Sequence, residues 1–185
     1  MPFRIPWYRL LPRHQRLTLF WVLAGLGIAA PWAIWGSGGL PWFPSVQSGT
    51  ACRVDSVHDG DTLRATCDGR AVKIRLYCID APELEQRPWG PESRTYLRQI
   101  LPQQISVRER DTDRYGRLVV EVYGHAGTLV NLALVERGIA AVYPRYCRDA
   151  RYHEAQEHAR AEKLGIWEKP GDHQQPWEYR KGKRG

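Results

Sequence analysis

Residues 71–83 read AVKIRLYCIDAPE, and how this stretch is divided decides the fold. Val72, Ile74, Leu76 and Cys78 alternate with Lys73, Arg75 and Tyr77, the two-residue period of a half-buried strand. A strand over 71–79 is expected, with Asp80 at its end and Pro82 holding Ala81 in an extended conformation. Upstream, CRVDSV (52–57) and TLRATC (62–67) flank a turn containing Asp59-Gly60, a hairpin signal. Downstream, 104–110 and 117–123 read as two further strands joined by a polar turn. Pro91 at an early helical position opens a helix over 91–101. A second helix is expected to start at a Thr128 cap, with Val130, Leu134 and Val135 on one face and Gly138 past its end. A third spans about 150–164 and ends at Gly165. Short strands interleaved with helices predict an α+β fold, a small closed five-stranded barrel with helices packed on it.

Oxygen ligands and arginines gather at the element ends of this scheme. Asp61 falls at the hairpin mouth and Asp80 at a strand end, where side chains converge. Carboxylates and a backbone carbonyl, here that of Ala81, are what a hard cation such as Ca²⁺ requires. Glu83 follows one turn residue later, placed to act as a base on a water. Arg75 and Arg117 carry the planar fork that neutralises phosphate oxygens better than lysine does. Singly, each feature has a plain structural reading. Asp59-Gly60 is a turn, Asp80 to Glu83 a capped turn into a helix, and Arg117 a surface strand residue. Their ordered combination points instead to metal-assisted phosphodiester cleavage.

The overall charge adds little to that argument. The 185 residues contain 27 Lys and Arg against 20 Asp and Glu, a formal +7. Residues 1–49 hold four arginines (Arg4, Arg9, Arg13, Arg16) and no acid, and Arg180, Lys181, Lys183 and Arg184 follow the last acid. Without these eight, 19 basic residues face 20 acidic ones, so the middle of the chain is near neutral. The basic balance is therefore no evidence of nucleic-acid binding.

Residues 17–35 (LTLFWVLAGLGIAAPWAIW) carry no charge and as a helix reach roughly 28 Å, about the thickness of a bilayer's hydrocarbon core. With the arginines before this span and none close behind, 1–16 is expected to stay in the cytoplasm. The rest is expected on the far side of the inner membrane, periplasmic or extracellular, held by an uncleaved single-pass anchor. Residues 36–49, rich in Gly, Ser and Pro, read as a linker. Four cysteines agree with export. If Val57 opposes Thr62 across the hairpin, Cys52 opposes Cys67 near disulfide distance. Cys78 is then left to pair with Cys147. Four free thiols or a zinc site are the alternatives, and the zinc spacing is missing.

Taken together, the Asp-Gly-Asp-Thr turn at 59–62, Ile74-Arg75-Leu76 with Asp80-Ala81-Pro82-Glu83, Asp113-Arg114-Tyr115-Gly116-Arg117, Val130-Asn131, Leu134-Val135, Gly138 and Gly165-Ile166-Trp167 resemble the staphylococcal nuclease family. The resemblance covers roughly 50–167 and implies an oligonucleotide-binding-type barrel with three helices. It also implies a monomeric endonuclease that cuts DNA and RNA to 3′-phosphate ends. Asp61, Asp80 and the Ala81 carbonyl are then expected to bind Ca²⁺, Glu83 to activate the attacking water, and Arg75 and Arg117 to hold the phosphate. Arg114 and Tyr115 fall where the family contacts substrate, with Asp59 and Thr62 in support. Ala81 replaces a threonine of the best-known member, a change a carbonyl ligand tolerates. Pro144 interrupts the family's tyrosine platform, so Tyr143 and Tyr146 receive no role. His153, His158 and His173 read as solvated, and 168–185 as a basic, disordered tail. A non-catalytic nucleic-acid or protein binding module is the main alternative, and it should show losses among Asp61, Arg75, Asp80, Glu83 and Arg117. A protein that binds Ca²⁺ only for stability would leave both arginines without a task.

Overall fold

The computed structural model describes residues 49–183. The segment 1–16, the apolar span 17–35 and residues 36–48 of the linker lie outside the described residues. Among the described residues no helix is long and apolar enough to cross a membrane. In chain order the strands are β1 (Thr50–Val57), β2 (Thr62–Cys67), β3 (Arg70–Leu76), β4 (Ile79–Asp80), β5 (Gln104–Thr112), β6 (Leu118–Tyr123) and β7 (Ala141–Val142). The helices are α1 (Trp89–Ile100), α2 (Val130–Glu136), α3 (Ala150–Ala161) and α4 (Pro176–Gly182).

Strand alternation builds the barrel. β1, β2 and β3 form an antiparallel meander, and β5 and β6 an antiparallel pair. β5 joins β1, and β6 joins β3 in parallel, which closes the ring in the order β1-β2-β3-β6-β5. Leu63, Ala65, Ile74, Leu76, Ile105, Val107, Val120 and Val122 point inward and are buried. Each Leu, Ile or Val among them contributes about 1.5–3 kcal/mol. Leu97 of α1 and Val130, Leu134 and Val135 of α2 complete this core. The buried amide of Asn131 ties α2 to the barrel. Its Nδ2 donates to the Tyr77 and Val120 carbonyls, and its Oδ1 accepts from the Val122 N–H.

Those bonds explain a departure from the expected strand over 71–79. β3 stops at Leu76, because Asn131 takes the Tyr77 carbonyl and Cys78 adopts φ +71°. The chain turns there, and Ile79 and Asp80 pair with Val142 and Ala141 of β7 instead. The hairpin register also differs. Cys52 does oppose Cys67, but an irregularity between Val54 and Ser56 shifts the far end, so Val57 faces Leu63 rather than Thr62. Disulfides join Cys52 to Cys67 and Cys78 to Cys147.

The helices need three corrections. α2 is preceded by Leu129 without a side-chain cap, while the Thr128 carbonyl accepts from the Gly124 N–H. α3, capped by Asp149, ends at Ala161. Gly165 lies beyond it, opening a 3-10 turn over Gly165–Trp167 that packs on Gly138, where the Ile166 N–H donates to the Gly138 carbonyl at 2.8 Å. A Cβ at Gly138 would sit 2.3 Å from the Leu164 oxygen, so the approach requires glycine there. Finally, 168–183 is folded rather than disordered, and α4 makes a fourth helix where three were expected. His173 is buried, bonded to the Ile166 and Lys169 carbonyls and stacked on Trp89. His153 and His158 are exposed, as expected.

Candidate active site

The hairpin mouth presents Asp61 through a compact turn. Asp59 Oδ1 accepts from the N–H groups of Asp61 and Thr62, at 3.0 and 2.7 Å. Gly60 lets this turn lie against the start of α1, since a Cβ there would meet those of Ala81 and Ser93 at 2.5 and 2.6 Å. Asp61 is thereby buried, its Oδ2 accepting from the Ala81 N–H at 2.7 Å and its Oδ1 from the Thr62 hydroxyl at 3.1 Å. Asp59 and Thr62 thus shape the turn and orient Asp61.

Register brings the partners in. Thr62 pairs with Arg75 across β2 and β3, so the Arg75 guanidinium reaches Asp61 beside it and Asp80 beyond the Cys78 turn. Its Nη2 also donates to the Ile79 carbonyl at 3.2 Å. Burial lowers the Arg75 pKa, with Arg117 and Arg180 acting in the same sense, while Asp80 and Asp59 oppose it. Asp80 is fully buried. Its second oxygen, with Glu83, meets a group that sequence reasoning missed. Arg180 of α4 donates from Nη2 to Asp80 Oδ2 and from Nη1 to Glu83 Oε1, both at 2.7 Å. Burial lowers the Arg180 pKa, but the bonds and charges of Asp80 and Glu83 outweigh it and raise the value overall. Glu83, expected to be free to meet a water, is therefore engaged. The signal for Arg180 was slight: Pro176 at a helix start, with Trp177 and Arg180 one turn apart.

Asp59, Asp61, Thr62, Arg75, Glu83 and Arg180 line a cleft of about 950 Å³ that is lined as well by Asp113, Arg114, Tyr115 and Arg117 of the 113–117 turn. Asp113 fixes that turn, accepting from the backbone N–H groups of Tyr115 and Arg117 at 2.9 and 3.0 Å and from Arg117 Nε at 2.7 Å. Burial pushes the Asp113 carboxyl up, yet these bonds and the Arg117 charge bring it below its usual range. Arg114 lies over the ring of the exposed Tyr115 and donates to its hydroxyl. Tyr143 meets Tyr146 edge-on and stacks on Trp177 of α4, with centroids 5.3 Å apart and planes at 11°. Pro144 therefore does not keep the two tyrosines from the cleft.

Asp61, Asp80 and Glu83 place three carboxylates against the guanidinium groups of Arg75 and Arg180, an excess of one negative charge. Hard oxygens with that excess fit a hard divalent cation. Among the described residues no group of three or more His, Cys, Asp or Glu side chains is arranged to hold a metal ion. An ion on Asp61 and Asp80 would therefore draw other oxygens from backbone, water or substrate. The site thus brings the carboxylates of Asp61, Asp80 and Glu83 together with the guanidinium groups of Arg75 and Arg180.

Residues 73–169 match the family described as staphylococcal nuclease homologue. A micrococcal nuclease of Shigella flexneri is 34% identical over 137 residues, 68% of this chain and 78% of that protein. An uncharacterized endonuclease of Escherichia coli O157:H7 is 37% identical over 129 residues, 69% and 83% of the two chains. One from Haemophilus influenzae is 37% identical over 118 residues, 63% of this chain and 65% of its own length. With its closed barrel, the chain belongs to the staphylococcal nuclease homologue family and is a hydrolase of the nuclease class.

Proposed function

We propose that the protein is a Ca²⁺-dependent, sugar-non-specific endonuclease that cleaves DNA and RNA to 3′-phosphate ends, exported and tethered to the inner membrane by residues 17–35. The observation that carries the catalytic part is the ion-paired cluster of Asp61, Arg75, Asp80 and Glu83 at a cleft that Arg117 also lines. Asp61, Asp80 and the Ala81 carbonyl would hold the cation, whose positive charge on the phosphate oxygens makes phosphorus more electrophilic. Glu83 takes a proton from water as the water oxygen bonds to phosphorus. The bond from phosphorus to the 5′ oxygen breaks, leaving phosphate on the 3′ side and a 5′ hydroxyl once that oxygen is protonated. Arg75 and Arg117 counter the charge that builds on the non-bridging oxygens. Arg114 and Tyr115 engage the neighbouring phosphate and base.

Export is supported by the uncharged 17–35 segment, the arginines before it and two disulfides in the folded domain. The catalytic reading is tested by digesting plasmid DNA and RNA with the purified protein. With Ca²⁺ both substrates are expected to be cut, with 3′-phosphate ends. Excess chelator is expected to stop cleavage, and Glu83→Gln to slow it by about a hundredfold or more. Full activity in chelator, or in Glu83→Gln, would refute the mechanism.

A further inference from the structure

Arg180 stands outside the family match, which ends at residue 169, and reaches the site from 97 residues beyond Glu83. Its contacts complete an inventory of the acidic oxygens. Asp61 Oδ1 meets Arg75 and the Thr62 hydroxyl, and Asp61 Oδ2 the Ala81 N–H. Asp80 Oδ1 meets Arg75, and Asp80 Oδ2 meets Arg180. Every oxygen of the pair thus has a partner, and at the oxygens that meet Arg75 or Arg180 an entering cation has to displace a positive charge. Three of those partners belong to the barrel side: Arg75, 12% exposed and also bonded to the Ile79 carbonyl, the Ala81 peptide and Thr62. Arg180 is 30% exposed and rides on a seven-residue helix late in the chain. That helix rests on buried Pro176, on the Trp177–Tyr143 stack, and on a peripheral ion pair from Lys183 to Glu85 at 3.6 Å. Arg180 is the partner most readily exchanged.

We propose that Arg180 is a built-in latch: its guanidinium and a divalent cation seated on Asp61 and Asp80 are alternative partners of Asp80 Oδ2. Two positive groups cannot share Asp80 Oδ2 at contact distance without strong repulsion. Cation binding therefore expels Arg180, loosens α4 and returns Glu83 Oε1 to water. With no cation, Arg180 neutralises the carboxylates and keeps the base occupied, so the enzyme is closed by its own C-terminal helix. This latch rests on the reading of Asp61 and Asp80 as the cation seat and Glu83 as the base.

The test is calorimetric titration of Ca²⁺, without substrate, into the full chain in detergent. Arg180→Ala is expected to bind Ca²⁺ about fivefold more tightly or better, the size of an ordinary coupling between competing occupants. Trp177→Ala keeps Arg180 but removes the stack that seats α4, and it is expected to shift affinity in the same direction. In the wild type, saturating Ca²⁺ is expected to speed amide hydrogen exchange across 176–183. Equal or weaker binding by Arg180→Ala, or exchange at 176–183 that Ca²⁺ leaves unchanged or slows, overturns the latch alone. Absence of Ca²⁺ binding by both wild type and Arg180→Ala overturns the latch together with the cation reading beneath it.

Discussion

Arg117 shows how one carboxylate can set the aim of another residue. Asp113 binds the two N–H groups that shape the turn with Oδ1 and Arg117 Nε with Oδ2. Asp113→Asn keeps an oxygen for the turn but loses the charged hold on Nε. It is expected to lower kcat/KM by on the order of tenfold, about 1.4 kcal/mol, with little change in melting temperature. In an Arg117→Ala background the same change is expected to cost nothing more, because both act through one group. Additive losses would refute the pairing. The pH dependence follows from the depressed Asp113 carboxyl. A depressed folded value makes the tie fully present above the unfolded value, near 3.9, and lost only as pH falls through the lower folded value. Activity lost at mildly acid pH therefore has another origin than this turn.

At the scale of elements, the chain's direction at Cys78 matters most, because it turns a strand end into a site. The disulfide to Cys147 and the Asn131 bond to the Tyr77 carbonyl both act there, and two residues later Asp80 enters the cluster. Asn131→Ala would take this partner from the Tyr77 carbonyl and the Val122 N–H, while the Val120 carbonyl keeps the Tyr77 N–H. It is expected to destabilise the fold by roughly 2–4 kcal/mol in urea unfolding, while an exposed-site control such as Glu157→Ala stays within about 0.5 kcal/mol. A loss under 1 kcal/mol would mean that the pin is not needed. The same region marks the limit of what sequence showed. Period-two alternation located β3 but ran through the turn, since the buried face continues across Cys78 while the backbone reverses its φ. The Cys52–Cys67 pair was reached from a hairpin register that holds only at the cysteine end, the irregularity near Asp55 being invisible to pattern. Arg75, Asp61 and Asp80 were legible because register and strand ends put them together. Arg180 was not: no periodicity links residues 100 apart, and a basic terminal run usually stays in water.

For the whole molecule, the proposed export gives the disulfides a consequence for folding. The two loops they close are separate in sequence, with spacings of 15 and 69, so their effects on the unfolded chain add to a first approximation. Loop closure gives about 3 kcal/mol for the shorter and about 4 for the longer. Together these rival the whole stability of an ordinary domain, about 5–15 kcal/mol. Where thiols stay reduced the nuclease domain should be weakly folded, and, if the domain is exported as proposed, oxidation there would complete it. A cell would then meet its own nuclease in a damaged form only, with the Arg180 latch as a second restraint. A form lacking residues 1–48, kept in a reducing cytoplasm, is expected to carry four free thiols and to be degraded by low protease. The full-length protein is expected to carry none and to resist the same treatment. Thiol counting with an alkylating mass tag, beside a protease titration, separates the two. If the reduced, truncated form proves as resistant as the exported one, the disulfides are not what makes folding await export.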